Sequence, residues 1–138
     1  MIDPTKLHRV LKSIETKHGP FVLAGLFMRE DSPGLWDLVV SAPWLQRWDL
    51  VALRRFVKLL SEALSQQEIL SLSRIVTFNR NDPALKRILQ DVGTITEPVE
   101  KFGRNLFDLS VEHAYVFRAH GKARSNRRVA VAPRARRG

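Results

Sequence analysis

One segment of the sequence is apolar at every position, and it limits the folds available to the chain. The eight residues Phe21-Val-Leu-Ala-Gly-Leu-Phe-Met28 carry no polar side chain. Successive side chains of a β-strand point to opposite faces, so a strand of this composition is stable only when both of its faces are covered. The segment therefore predicts a strand that is buried on both faces and central in a sheet.

The residues that follow predict an antiparallel partner for this strand. The segment from Glu30 to Gly34 contains Asp, Ser, Pro and Gly, which are typical turn residues. A second strand is predicted from Leu35 to Ser41, with one face formed by Trp36, Leu38 and Val40. Because the connection is so short, the two strands are expected to form a hairpin.

Capping residues and apolar spacing predict three helices. Asp3-Pro4, Asp49 and Asn81-Asp82-Pro83 each supply an N-terminal cap, and proline fits a first helical turn. Apolar residues recur at helical spacing after the first two caps, at Leu7, Val10, Leu11 and Ile14 and then at Leu53, Phe56, Val57, Leu60 and Leu64. The second helix is expected to fray near Gln66-Gln67, and the third runs from Ala84 to Asp91.

Three further strands are predicted at 74–78, 106–110 and 114–119, whereas the stretch 94–104 is ambiguous because Pro98 and Gly103 interrupt it. The resulting order is α-β-β-α-β-α-β-β. Helical crossovers join parallel strands, and the hairpin is antiparallel. We therefore expect an α+β fold: a mixed, mainly antiparallel sheet of about five strands, with three helices packed mainly on one face.

The net charge of +9 is concentrated at the C-terminus. Residues 121–138 contain no acid and seven of the 23 basic residues: Lys122, Arg124, Arg127, Arg128, Arg134, Arg136 and Arg137. Residues 1–120 contain the other 16 basic residues and all 14 acidic ones, so this part of the chain is only slightly basic. Because the last segment has no apolar periodicity, we expect a single compact domain over 1–120 and a disordered basic tail over 121–138.

The sequence contains no cysteine, which excludes disulfides and cysteine-based zinc sites. Its longest apolar run is far shorter than the roughly 20 residues of a transmembrane helix, and the N-terminus does not resemble a secretory signal. We therefore expect no membrane span and a cytoplasmic location. No histidine pair or glycine-rich loop predicts a metal or cofactor, so none is expected.

Asp37 is the position most suggestive of catalysis, because it interrupts the apolar strand Leu35–Ser41. A buried carboxylate needs a hydrogen-bonding partner, a cation or solvent. Asp37 could act as a base or ligand together with Glu30 across the hairpin, or it could face solvent, or pair with Arg29. His113 beside Glu112 is a second weak candidate, although neighbouring strand residues point to opposite faces.

The segment Trp44-Leu-Gln-Arg-Trp48 is the densest aromatic and basic cluster in the sequence. Together with Arg54 and Arg55, the residues Trp44, Arg47 and Trp48 could form an interaction surface, because aromatic rings stack on bases and cations hold phosphates. The same residue types are favoured at protein interfaces. Alternatively, Trp44 and Trp48 only pack the second helix onto the sheet.

These patterns lead to three functional hypotheses. The first is a small non-enzymatic binding or accessory domain whose basic tail assists contact with nucleic acid or another polyanion. The second is a protein-interaction or homo-oligomeric domain that uses Trp44, Trp48 and the terminal strands. The third is an enzyme centred on Asp37, which we consider less favoured because no catalytic motif accompanies that residue.

Overall fold

The computed structural model describes residues 2–121 and has an α+β fold, as the sequence predicts. The elements, in chain order, are α1 (Pro4–His18), β1 (Leu23–Arg29), β2 (Trp36–Ser41), α2 (Leu50–Ala63), α3 (Gln66–Leu70), β3 (Leu72–Thr77), α4 (Pro83–Val92), β4 (Val99–Leu106) and β5 (Val111–Ala119). The predicted tail lies outside the described residues, apart from Gly121.

The five strands form one sheet in the order β3-β2-β1-β5-β4. Only β2 and β3 run parallel, and the other neighbouring pairs are antiparallel, so the sheet is mixed and mainly antiparallel as predicted. The apolar strand β1 lies in the middle of the sheet and forms the predicted hairpin with β2. This position between two neighbouring strands and two apolar clusters explains why β1 carries no polar side chain before its last residue.

The helices are divided unequally between the two faces of the sheet. On one face, Leu11 of α1, Phe56 of α2 and Ile69 of α3 contact a cluster that includes Leu26 and Leu38. On the other face, the helix α4 contributes Leu85 and Ile88 to a second cluster. There they pack with residues of the strands: Leu23, Phe27, Val39 and Val116. The short helix α3 adds to the three predicted helices, in the region where the sequence predicts fraying.

The predicted caps account for where three of the helices begin. The carboxylate of Asp3 accepts a hydrogen bond from the Thr5 backbone N–H at 2.9 Å. Asp49 and Asp82 cap α2 and α4 in the same way. The carboxylates therefore satisfy N–H groups that lack a partner inside the helix.

The region between α4 and β5 differs from the prediction. The edge strand β4 occupies most of the stretch that the sequence leaves ambiguous, and residues 107–110 form a turn instead of the predicted strand. In that turn Phe107 has a left-handed backbone and stacks on Phe27, with ring centroids 5.1 Å apart. Gly103 lies where the pairing of β4 with β5 is irregular, between Phe102 and Leu106, and glycine is common at such interruptions of a strand.

A salt bridge links the first helix to the last strand. The guanidinium of Arg118 on β5 donates to both carboxylate oxygens of Glu15 on α1, at 2.8 and 3.2 Å. The same carboxylate accepts the Phe21 backbone N–H at 2.8 Å. Glu15 therefore fixes the end of α1, the start of the strand region and β5 relative to one another.

Among residues 2–121, no helix combines the length and the apolar composition that crossing a bilayer requires.

Candidate nucleic-acid interface

A cleft of about 630 Å³ opens where the two parallel strands end. It is lined by the end of β2, by the loop before α2 and by the connection from β3 to α4, including Ser41, Gln46, Trp48, Asn79, Arg80 and Asn81. The carboxyl ends of parallel strands are a common place for ligand sites in sheets with helical crossovers, because the connecting loops diverge there. This geometry makes the cleft the leading candidate site.

Two hydrogen bonds hold the walls of the cleft in position. The Ser41 hydroxyl donates to the Phe78 carbonyl at 2.7 Å and joins the end of β2 to the residue after β3. The Arg47 backbone N–H donates to the Asn79 side-chain oxygen at 3.1 Å. The loop that carries Trp48 is thereby tied to the loop that carries Arg80.

The structure separates the two tryptophans of the predicted interaction surface. Trp48 is 72 % exposed at the wall of the cleft. Trp44 is half-buried, packs against Phe21 with ring centroids 5.4 Å apart, and donates its indole N–H to the Gly19 carbonyl at 3.0 Å. The packing interpretation therefore describes Trp44, whereas Trp48 is available to a ligand.

This difference predicts a large loss of stability for substitution of Trp44 and a small one for substitution of Trp48. Trp44→Ala is expected to lower the free energy of unfolding by about 2 kcal/mol, since it empties part of the aromatic cluster. Trp48→Ala is expected to change it by less than about 0.5 kcal/mol, because exposed side chains contribute little. Urea unfolding followed by far-UV circular dichroism measures both, and equal losses would contradict the separation.

The charged side chains that line the cleft are one cation, Arg80, and one carboxylate, Asp82. Arg80 is exposed, and Arg47, which precedes Trp48 in the sequence, is exposed outside the cleft lining. The two nearby acids are held at helix ends: Asp49 accepts the Ala52 N–H at 3.0 Å and Asp82 accepts the Ala84 N–H at 2.9 Å. Arg80 is therefore the cation of the cleft lining that is in position to contact a phosphate.

Arg54 and Arg55 are exposed on α2 and continue the basic surface beyond the cleft. Near them at the start of the helix are two exposed apolar side chains, Leu50 at 57 % and Val51 at 66 % exposure. The N-terminal part of α2 therefore combines apolar and basic groups next to Trp48.

The basic tail leaves the domain close to the cleft. The His120 backbone N–H donates to the Val22 carbonyl at 2.9 Å, and the Val22 N–H donates to the Ser41 carbonyl at 2.7 Å. Both Val22 and Ser41 line the cleft. The seven tail cations, Lys122 to Arg137, lie outside the described residues, but the first of them is only two residues after His120 in the sequence.

Asp37 lies elsewhere and is part of a charge cluster. It is only 4 % exposed, and its Oδ2 atom is 3.1 Å from the Nε atoms of both Arg29 and Arg74. Its other oxygen is buried and receives no hydrogen bond from the described residues. Glu30 instead accepts the Asn105 backbone N–H at 2.6 Å, so the two carboxylates are committed to different partners.

His113 contacts the carboxylate of Glu100, which is not its neighbour in the sequence. Its Nε2 atom is 2.7 Å from Glu100 on the neighbouring strand β4, whereas Glu112 precedes it on the same strand. The imidazole ring stacks on Phe102, with centroids 4.1 Å apart. Burial and the neighbouring Glu100 carboxylate raise the pKa of Tyr115, which is on the same face of β5. His113 is thus a member of an aromatic cluster at the sheet edge.

Within residues 2–121 no three histidine, aspartate or glutamate side chains converge closely enough to hold a metal ion. Comparison of the chain with protein-family models, with curated proteins and with solved structures finds no match.

Sequence reasoning missed three residues of the cleft, Asn79, Arg80 and Asn81. One signal could have indicated them: they lie between a predicted strand and an Asp-Pro helix start, in the kind of loop that follows a parallel strand. The pairing of that strand with β2 was needed to place this loop next to Trp48.

Proposed function

We propose that the protein is a non-enzymatic binding domain for single-stranded nucleic acid, with the cleft around Trp48 as its base-binding element. The observation that carries this proposal is the 72 % exposure of Trp48 at the wall of a cleft that is also lined by the exposed Arg80. An exposed indole ring can stack on a nucleobase, since every nucleobase presents a flat face.

The polar groups of the cleft support the same ligand. Arg80 in the cleft lining can contact a phosphate next to a base stacked on Trp48, and the exposed Arg47, which precedes Trp48, can contact the same strand. The side-chain amides of Asn79 and Asn81 carry both donors and acceptors and suit the edge of an unpaired base. A single strand is favoured over a duplex because a base has to leave its own stack before its face can pack on the indole ring of Trp48.

The basic tail is the second element of the proposal. Its seven cations would bind the phosphate backbone by releasing counterions and without reading the sequence. Since the chain enters the tail beside the cleft, one strand could contact both elements. Binding of cellular nucleic acid accords with a cytoplasmic location, which is part of this proposal.

Titration of a fluorescent 12-nucleotide dT or U strand, followed by anisotropy, tests the role of the cleft. Trp48→Ala is expected to weaken binding about tenfold, the effect of losing one stacked base. Trp48→Phe keeps an aromatic ring and is expected to stay within about threefold of the unchanged protein. An unchanged dissociation constant for Trp48→Ala would contradict the proposal.

A matched pair of arginines controls for net charge in the same titration. Arg80 lies in the cleft, and Arg104 lies on β4 at the opposite edge of the sheet, and both are exposed. Each alanine substitution removes one positive charge. Arg80→Ala is expected to weaken binding more than Arg104→Ala, and equal effects would indicate charge attraction without a defined site.

The exposed apolar residues beside Trp48 favour one alternative function. Leu50 and Val51 are more than half exposed at the start of α2, and an apolar surface rimmed by arginines also suits a protein partner. Leu50→Ser with Val51→Ser distinguishes the two functions, because it would abolish binding to a protein while leaving nucleic-acid affinity within about twofold.

A further inference from the structure

A groove of about 450 Å³ lies between α1 and the C-terminal part of α2, and it shares no residue with the Trp48 cleft. The residues of α1 that line it are spaced three and four positions apart and so form one face of that helix. Lys6 and Lys17 are the first and the last of them. At 1.5 Å per residue the groove follows α1 for about 16 Å, or three helical turns.

The apolar part of the groove lining is open to a ligand. Val10 of α1 and Leu59 of α2 are half-buried and pack against the buried cluster that contains Ile14. Ala63 at the end of α2 is exposed, and its short side chain leaves the groove open. A ligand that covered these side chains would bury apolar surface of both helices, which stabilises a complex.

The charged residues of the lining are divided unequally between the two helices. On α1, Arg9 and Lys17 are exposed and form no ion pair with any residue of 2–121. Lys6 differs from them, because its ammonium group contacts the carboxylate of Glu68 at 2.7 Å. On α2 the charged residue of the lining is the exposed Glu62. The α1 side of the groove therefore offers two cations to a ligand, and the α2 side offers one carboxylate.

These charges discriminate between the segments that would cover an apolar groove. The C-terminal segment 122–138 carries only cations, and the same α1 face of a second copy is also basic, so Arg9 and Lys17 would repel both. A nucleic-acid backbone would neutralise the two cations but would leave Val10 and Leu59 without apolar contacts. An amphipathic helix with acidic side chains beside its apolar face satisfies both features of the groove.

We propose that the groove between α1 and α2 binds an acidic amphipathic helix of a protein partner. Arg9 and Lys17 are separated by about 12 Å along α1. Acidic side chains seven or eight residues apart on the partner helix would therefore face both cations, with the apolar residues between them on Val10 and Leu59. A basic side chain on the other flank would face Glu62 and fix the direction of the helix. This site is independent of the function proposed for the Trp48 cleft.

Three synthetic peptides test the groove on the unchanged full-length protein. The first is an alanine-based helical 15-mer with leucines on one face and two glutamates, seven positions apart, beside them. The second has glutamine in place of both glutamates, and the third has alanine in place of the leucines. In NMR titrations at constant ionic strength, the first is expected to shift the amide signals of Ser13 and Ala63 and to bind at least about fivefold more tightly than the others.

The same signals distinguish the other occupants of the groove. Equal affinity of the three peptides, or no saturable shift with the first peptide up to 2 mM, would overturn the proposal. Tighter binding of laurate than of the first peptide would assign the groove to a fatty acid instead. Shifts of Ser13 and Ala63 on dilution of the protein alone would assign it to a second copy of the chain.

Two double variants with equal loss of charge assign the cations. Arg9→Ala with Lys17→Ala is expected to weaken binding of the first peptide about tenfold. Lys12→Ala with Lys58→Ala removes two exposed cations of the same helices that lie outside the groove lining, and is expected to stay within about twofold. Equal weakening by both double variants would indicate charge attraction without a defined groove and would overturn the assignment. The peptide comparison needs no substitution, so it stays decisive even if a variant perturbs the fold.

Discussion

Deleting residues 122–138 is expected to lower the affinity for single-stranded nucleic acid on the order of 100-fold or more at 50 mM salt. The deletion removes seven cations and no acid, and the remaining chain is close to neutral. If all seven cations contact phosphates, the slope of log affinity against log salt should become shallower by about 5. Anisotropy titrations at several salt concentrations measure both quantities.

A full-length variant with the seven tail cations replaced by glutamine is the control for tail length. It should reproduce the effect of the deletion, since the proposed contribution is charge. Both proteins are expected to melt within about 1 °C of the unchanged chain, because the tail adds no residue to either apolar cluster described for 2–121. A salt dependence that survives both changes would contradict the proposed role of the tail.

Glu15→Ala is expected to lower the free energy of unfolding by about 3 to 4 kcal/mol. The change leaves the guanidinium of Arg118 without its partner, at a position where only 19 % of that side chain is exposed. It also removes the acceptor of the Phe21 backbone N–H. Urea unfolding with linear extrapolation gives the difference directly.

A double-mutant cycle shows how much of this loss comes from the ion pair. The variant with both Glu15→Ala and Arg118→Ala should lose less than the sum of the two single changes, because no unpaired charge remains. Lys6→Ala breaks the more exposed pair with Glu68 and should cost less than about 1 kcal/mol. A loss below about 1 kcal/mol for Glu15→Ala would show that the pair does not anchor α1.

The sequence was sufficient for the parts of the fold that depend on local patterns. The run from Phe21 to Met28 predicts the central strand because alternation forces both faces to be apolar, and Asp49 and Asp82 predict helix starts because a cap acts over a few residues. The turn at 107–110 was missed because left-handed Phe107 and Asp108 have no distinctive local signal. Gly103 does mark an irregularity in the pairing of β4 with β5, but the strand continues on either side of it, as far as Leu106.

The contacts that fix α1 on the sheet and those that build the Trp48 cleft are long-range, and this explains why they could not be predicted. Glu15 and Arg118 are 103 residues apart in sequence. Trp48 and Arg80 approach one another only because β2 and β3 are adjacent and parallel. Composition alone identified the aromatic cluster at Trp44 and Trp48. The two residues differ in exposure, and exposure depends on packing that composition does not show.

The most direct test of the proposed function is the intrinsic tryptophan emission during titration with unlabelled dT or U strands. Trp36 is 1 % exposed and Trp44 is half-buried, so quenching by a stacked base should come from Trp48. We expect clear quenching in the unchanged protein and loss of most of it in Trp48→Phe, although that variant still binds. Quenching that is equally large in Trp48→Phe, or binding without any quenching, would contradict the assignment of Trp48 as the base-stacking residue.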